Sequence, residues 1–144
     1  HVFQKRGDKI PMATPIFFMA TGAPRPVAPF SHAVEADGWV FITGQMPNVP
    51  GNEDAPLPDG IENQTRNVMT NLLSILKSTD LALRNVLVAR IYLTHFKEDY
   101  TTMNAIYESY FEPRRLPART CIGVTALALD ARIEIDLLAR RSNG

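Results

Sequence analysis

Cysteine is nearly absent from this chain of 144 residues, in which Cys121 stands alone. A single cysteine cannot form a disulfide within the chain, so we expect a reducing compartment. Long hydrophobic runs are also missing. The apolar segment at residues 16–20 is too short for a membrane span or for the core of a signal peptide. The sequence therefore predicts a cytoplasmic protein with no membrane partner, and an organelle matrix stays open as an alternative.

Charge of one sign is not in excess, because Lys plus Arg and Asp plus Glu number 15 each. Because the charges are balanced, the sequence has no excess of basic residues that would indicate nucleic-acid binding. His32 and His95 are the only internal histidines, and no Cys or His pair has the spacing of a metal site. Glycine-rich phosphate loops and the Gly-x-Ser-x-Gly pattern of serine hydrolases are missing too. We therefore expect neither a metal nor another cofactor.

The length and the composition, 45% hydrophobic and 21% charged, are those of an ordinary globular domain. Residues 1–15 are largely polar and contain Pro11 and Pro15, which predicts a flexible N-terminal extension. Residues 16–144 are predicted to form a single domain. A proline-rich connector at 22–29 and an exposed, proline-rich loop at 46–60 interrupt it.

Hydrophobic periodicity predicts the order β-β-α-β-α-β-β, with a further short strand at residues 16–20. The first two strands, 31–36 and 39–43, are joined by an Asp-Gly turn, the strongest hairpin signal in the chain. Helices are predicted from a capping box at 59–62 and over 97–111, and a strand that is central in its sheet over 86–93. We expect an α+β fold in which two helices pack on one face of a mixed sheet.

Two helices can cover only one face of such a sheet. The opposite face is predicted to contain four apolar side chains, namely Val40, Ile42, Cys121 and Leu138. Such a face is too apolar for solvent, so we expect oligomerisation through it. Asn67 and Asn71, in contrast, are expected to face outward from the first helix.

Two strand-like segments near the C-terminus, starting at Arg119 and Arg132, carry the most informative polar residues. Arg119 and Cys121 alternate with apolar residues in the first segment, and Glu134 and Asp136 do so in the second. If the two strands pair, the guanidinium and the carboxylates lie on one sheet face, away from the helices. An arginine fork suits a substrate carboxylate and a fixed glutamate suits proton transfer with water. A surface salt bridge explains the same residues equally well.

Three other side chains have two readings each. Cys121 is either a nucleophile or a small buried hydrophobic residue. Asn104, on the second helix, either faces solvent or points into a cleft between subunits. His95 is either a metal ligand or a partly exposed residue at the start of that helix. The aromatic stripe along the helix, at Tyr100, Tyr107 and Tyr110, is interpreted as core packing.

Several short motifs together resemble one known family. They are Ala-Pro-Phe-Ser-His-Ala at 28–33, Val-Phe-Ile-Thr-Gly-Gln at 40–45, Tyr-Leu-Thr at 92–94, the segment 103–111, Pro-Ala-Arg-Thr-Cys at 117–121 and Ile-Glu-Ile-Asp at 133–136. The chain is similar over residues 24–141 to the RidA/YjgF family, also called L-PSP. Its members are small enamine and imine deaminases.

The resemblance implies a chorismate-mutase-like fold and a homotrimer with three ligand clefts between subunits. It also implies hydrolysis of 2-imino acids, derived from 2-aminoacrylate-type enamines, to 2-oxo acids and ammonia, with no cofactor. In this reading Arg119 holds the substrate carboxylate, and Glu134 positions or activates the attacking water. The cleft is lined by the remaining matched residues: Phe30, Thr43, Gly44, Asn104 and Cys121.

The chain departs from the family pattern at three positions. Phe30 stands where a tyrosine is common, Gly123 where deaminases often have glutamate, and Ala128 where proline is frequent. The first two predict a more apolar and roomier pocket. A binding protein for 2-oxo acids without catalysis is therefore the alternative function. Ribonuclease activity, also attributed to the family, is disfavoured by the neutral charge and the lack of paired histidines.

Overall fold

The computed structural model describes residues 14–142, so almost all of the expected N-terminal extension lies outside the described residues. The strands are β1 (Ile16–Phe18), β2 (Ala33–Ala36), β3 (Trp39–Gln45), β4 (Val86–Leu93), β5 (Ala118–Gly123) and β6 (Ile133–Arg140). The helices are α1 (Gly60–Ser78) and α2 (Phe96–Glu108). The predicted α+β class and order of elements are confirmed, including the short first strand.

The six strands form one mixed sheet in the order β1-β2-β3-β6-β4-β5. The predicted hairpin is present between β2 and β3, and its turn residues Asp37 and Gly38 have φ angles of 52° and 82°. Positive φ at both positions matches the twist of a two-residue hairpin, which is why Asp-Gly is favoured there. Only β4 and β5 run parallel, and α2 connects them.

The last two strands do not pair with each other, so the condition for placing Arg119 and the carboxylates on one sheet face is not met. The strand β4 lies between β5 and β6, parallel to the first and antiparallel to the second. A strand-helix-strand connection places β5 beside β4 on the outer edge, so β6 must pass to the inner side of β4. Consecutive strands are neighbours only about two-thirds of the time, and here they are not.

One sheet face is covered by the helices and the other, the open face, is not. Val40 and Ile42 are buried on the covered face, so their predicted placement is wrong, whereas Leu138 lies on the open face as predicted. Both alternating sets of β3 are apolar, so alternation by itself could not choose the face. The exposed large side chains of the open face are instead Phe17, Trp39, Phe41 and Ile122.

Cys121 is also on the covered face, because it is in register with the buried Ile91 of β4. Arg119 shares this face for the same reason, through its partner Ala89. The edge strand β5 packs against the aromatic and polar side of α2. This side of the helix accommodates Arg119 on the covered face, where the alternation pattern predicts only the apolar residues of β5. Ile122, expected in the core, is 45% exposed on the open face.

The loop before α1 is less exposed than predicted, because the helix holds it. Asn71 was expected to face outward, but it is 1% exposed. Its Nδ2 donates to the carbonyl oxygens of Met46 and Asn48 at 2.9 and 2.8 Å. Buried backbone carbonyls need such partners, and an amide side chain supplies two donors at once. The loop is thereby fixed where it follows β3.

The helix itself begins next to Asp59 as predicted, although that side chain makes no capping bond.

Partly buried ion pairs join the elements at both ends of β6. Asp99, 3% exposed, accepts two hydrogen bonds from Arg132 at 2.8 and 2.9 Å. At the other end Glu35 accepts two from Arg141, at 3.0 and 2.8 Å.

Among the helices in residues 14–142, none is both long and apolar enough to cross a membrane.

Candidate functional site

Arg119 is held by two side chains of the helix that lies over its strand. Its Nη1 donates to Oδ1 of Asn104 at 2.7 Å, and its Nη2 donates to the hydroxyl of Tyr100 at 3.3 Å. The two helix residues are four positions apart, so they lie on one face of α2. The amide of Asn104 is thus directed at Arg119, and its place in a cleft between subunits stays a prediction.

The guanidinium of Arg119 also lies over two aromatic rings, with its Cζ atom 5.3 Å from the Tyr107 ring centre and 5.8 Å from that of Tyr100. Cation–π contacts at these distances restrict the long side chain further. Within residues 14–142, no carboxylate lies within salt-bridge distance of Arg119. The interpretation of Arg119 as half of a surface salt bridge is therefore wrong, and its remaining N–H groups are available to an anion.

A groove of about 340 Å³ opens beside the guanidinium. Its lining residues are Asn104, Tyr107, Glu108, Leu116, Pro117 and Arg119. Tyr107 is part of the core as predicted, yet its hydroxyl is buried without a hydrogen-bond partner among the described residues. Burial raises the pKa of this phenol to about 12, so it stays protonated. Sequence reasoning missed Tyr100 and Tyr107 as neighbours of the arginine, although their stripe on α2 was visible.

Cys121 packs against the edge of the core on the same side of β5 as Arg119. Burial raises the pKa of its thiol, and the charge of Arg119 opposes this only in part. A protonated thiol is a poor nucleophile, so the structure favours the reading of Cys121 as a small packing residue.

Gly123 follows on the same face and lies next to α2. A Cβ atom placed on Gly123 would be 3.3 Å from the Cβ of Phe96, which stacks on Tyr100 with ring centres 4.7 Å apart. The space expected from the missing side chain is thus partly filled by Phe96. The predicted gain in space is therefore limited by Phe96, and the more apolar character of the pocket stays a prediction.

Glu134 is found on the open face, where its carboxyl group lies directly over the backbone of Gly44. A Cβ atom on Gly44 would be 2.6 Å from Oε2 of Glu134 and 2.9 Å from its Cδ. Real side chains do not approach this closely, so glycine is required for the glutamate to occupy this position. The resemblance places both residues in one cleft, and the pairing of β3 with β6 brings them together.

The environment of Glu134 favours its protonated form. Burial raises the pKa of its carboxyl, and the negative charge of Asp136 on the same strand raises it further. A carboxylate with an elevated pKa is a stronger proton acceptor than an ordinary one, so it is better suited to exchanging protons with water.

Phe30 and Thr43 lie on the same side of the molecule as Gly44. Phe30 is 39% exposed and shares a small surface depression with Gly44. The Thr43 hydroxyl donates to the carbonyl oxygen of Ser31 at 2.6 Å, which ties β3 to the segment carrying Phe30. The predicted site residues therefore form two groups: Arg119, Asn104 and Cys121 in one, and Phe30, Thr43, Gly44 and Glu134 in the other.

The two internal histidines differ in their exposure. His32 is 2% exposed; its Nδ1 accepts the N–H of Ala20 and its Nε2 contacts the carbonyl oxygen of Pro24, both at 2.7 Å. His95 precedes α2 and is exposed, in agreement with the reading as a terminus residue. In the part of the chain that the structure describes, no three His, Cys, Asp or Glu side chains cluster in a way that could hold a metal ion.

Comparison with known proteins places these features in a family. The family model described as Endoribonuclease L-PSP matches residues 20–141. A RutC family protein of Aquifex aeolicus is 38% identical over 118 residues, which are 81% of this chain and 92% of that protein. The mouse 2-iminobutanoate/2-iminopropanoate deaminase is 34% identical over 119 residues, 83% of this chain and 86% of the relative.

Solved structures give the same result. The crystal structure of Escherichia coli TdcF with bound serine superposes with a TM-score of 0.79 at 26% identity. The match covers 87% of this chain and 99% of that one. The site motifs, the six-stranded sheet with its two helices, and the match over residues 20–141 agree with one another. The chain belongs to the RidA/YjgF (L-PSP) family.

Proposed function

We propose that this protein is a homotrimeric deaminase that hydrolyses 2-imino acids, formed from 2-aminoacrylate-type enamines, to 2-oxo acids and ammonia. The observation that carries the proposal is Arg119, which is oriented by Asn104 at 2.7 Å and has no carboxylate partner among the described residues. An arginine fixed in this way is prepared to bind a carboxylate with two parallel hydrogen bonds. The deaminase activity named for the mouse relative and the serine bound to TdcF support this substrate class.

Imine hydrolysis requires mainly that the protein orient the substrate and a water molecule. The reaction starts from the substrate with its imine nitrogen protonated. The oxygen of a water molecule adds to C2 while the Glu134 carboxylate takes one of the protons of that water, which gives a neutral carbinolamine. Glu134 then donates this proton to the amino group, the C–N bond breaks as the C=O bond forms, and the hydroxyl proton passes to solvent, which releases ammonia and the 2-oxo acid. A positioned carboxyl and a clamped substrate are sufficient for this reaction, because imine hydrolysis is intrinsically easy. No cofactor takes part in the proposed mechanism.

The substrate cleft, in this proposal, lies between two copies of the chain. One copy contributes Arg119, Asn104 and the backbone at Cys121; the next contributes Glu134, Gly44, Thr43 and Phe30. Within one chain the two groups are on opposite sheet faces, so a single copy cannot place both around a small molecule. The exposed Phe17 and Phe41 of the open face support burial against another copy.

A binding function without catalysis is the alternative. It is favoured by Gly123, which puts no carboxylate at a position where related deaminases often have glutamate, and by Phe96, which occupies the space beside it. Such a protein would use the same Arg119 clamp to hold 2-oxo acids or other small carboxylates without turnover.

An imine-trapping assay tests the proposal. A set of L-amino acids is converted to 2-imino acids by an amino-acid oxidase with catalase, and surviving imine is trapped with semicarbazide. Wild type is expected to suppress semicarbazone formation, and Arg119→Ala is expected not to. Arg66→Ala, which removes an exposed arginine of α1, serves as the matched control and should behave as wild type. Lack of suppression by wild type with small and bulky imines alike, with 2-oxo acid binding retained, would establish the alternative.

A further inference from the structure

Asp136 lies two residues after Glu134 on β6, and both side chains are on the open face of the sheet. Residues at i and i+2 of a strand point in the same direction and are neighbours. Two neighbouring carboxylates oppose each other's ionisation, so the pair retains one proton to a higher pH than an isolated group would. The protein must then determine which of the two carries that proton.

Hydrogen bonds distinguish the two carboxyl groups. Arg90 Nε donates to one oxygen of Asp136 at 2.8 Å, and the Tyr92 hydroxyl donates to the other at 3.0 Å. Both donors keep their protons: the bond to Asp136 raises the pKa of Arg90, and burial, followed by the bond to Asp136, raises that of Tyr92. No hydrogen bond from residues 14–142 acts on the Glu134 carboxyl.

We infer that Asp136, bound by Arg90 and Tyr92, holds the negative charge of this pair and thereby assigns the shared proton to Glu134. Asp136 is a positioning residue, because its effect reaches the substrate only through Glu134. Its catalytic use depends on the proposed imine hydrolysis, whereas the proton assignment stands independently of any activity.

The other elements packed around Glu134 add no competing charge. On β4 its direct partner is Tyr92, with Arg90 one step along the same face. On β3 it lies over Gly44, which has no side chain. Arg132, two residues earlier, is turned away to Asp99 and Glu98. Within residues 14–142 of a single copy, burial and the charge of Asp136 are therefore the two influences on the Glu134 carboxyl.

A carboxyl NMR titration tests the inference. The protein is labelled with ¹³C at the Asp and Glu carboxyl carbons, and the Glu134 signal is assigned by its loss in Glu134→Gln. Asp136→Asn keeps the shape of the side chain and removes its charge. We expect this variant to increase the acid dissociation constant of Glu134 by about three- to tenfold. Asp54→Asn, at a remote exposed site, should leave it unchanged. An unchanged Glu134 titration in Asp136→Asn would overturn the inference.

Tyr92→Phe provides a second, independent variant. It removes one of the two donors to Asp136 and leaves both carboxyl groups in place. We expect the acid dissociation constant of Glu134 to increase, because the negative charge beside it is then held by one donor instead of two. An unchanged Glu134 titration in Tyr92→Phe would count against the inference. Because neither readout requires turnover, a negative imine assay with the expected titrations refutes only the proposed function.

Discussion

Arg119 and Glu134, the two residues proposed to act on the substrate, are on opposite faces of the sheet, and β4 separates their strands. Arg119 is under α2, where Asn104 and Tyr100 bind it. Glu134 is on the open face over Gly44. An activity that uses both residues on one small molecule therefore requires a second copy.

Mixing two impaired variants tests this requirement. Arg119→Ala and Glu134→Gln are each expected to keep only a small residual activity as pure proteins. When they are unfolded together and refolded as mixed trimers, about a quarter of the wild-type activity is expected, since each site takes one residue from each of two neighbours. Each variant refolded alone is the control. Full activity in a monomer, measured by light scattering alongside turnover, would show that the site does not span two copies.

Gly44→Ala is expected to displace Glu134. The added methyl group would lie 2.6 Å from Oε2 of the glutamate, so the carboxyl must move. We expect kcat to fall at least about tenfold, as misplaced catalytic groups do, with a small change in Tm. In a Glu134→Gln background the same substitution should have no further effect on turnover. Additive losses in the double variant would mean that Gly44 acts independently of Glu134.

Tyr107→Phe removes a buried hydroxyl that has no partner in the described part of the chain. We expect the free energy of unfolding in urea to stay the same or to increase by about 1 kcal/mol, because the desolvation penalty of the hydroxyl is removed. Tyr92→Phe is the matched comparison. Its hydroxyl bonds to Asp136 at 3.0 Å, so its loss should lower the same quantity by about 1 kcal/mol. A clear destabilisation by Tyr107→Phe would reveal an interaction of its hydroxyl.

Asp99→Ala is expected to lower the free energy of unfolding by about 3–5 kcal/mol, because it leaves the Arg132 guanidinium without its buried partner. The adjacent Glu98 also contacts Arg132, at 3.2 Å, but its side chain is 71% exposed. Glu98→Ala should therefore cost about 0.5 kcal/mol or less. Similar losses for the two variants in urea denaturation would contradict the dominance of the buried pair.

The Glu35–Arg141 pair predicts a pH dependence of stability. The hydrogen bonds from Arg141 lower the pKa of Glu35 below its ordinary value, so the folded state binds this proton less readily than the unfolded state. The stabilisation is therefore present above the unfolded pKa and is lost as the pH falls through the folded pKa. We expect the loss of unfolding free energy between neutral and acidic pH to be smaller in Glu35→Gln. Parallel pH profiles for the two proteins would be inconsistent with this pair.

Local sequence patterns were sufficient to predict the helices and strands and to single out the polar residues of the last two strands. The Asp37-Gly38 turn and the period of α1 specify structure through interactions between near neighbours in the chain, so they can be read from the sequence. The sequence could not show which side chains of β3 and β5 lie on the covered face of the sheet. Val40 with Ile42 and Trp39 with Phe41 are both apolar sets, and alternation fixes only that they oppose each other.

The sequence by itself determined the α+β class and the order of the elements, because hydrophobic spacing is a local property. Arg119 and Glu134 are predicted from their side-chain chemistry, whereas Gly44 and Asn104 enter as site residues only through the resemblance to the family. Only the tertiary structure decided that β4 separates the last two strands. That insertion directs Arg119 to the helices and Glu134 to the open face, and it places Arg90 and Tyr92 beside Asp136. The order of strands in a sheet depends on contacts between distant segments, which no short pattern contains.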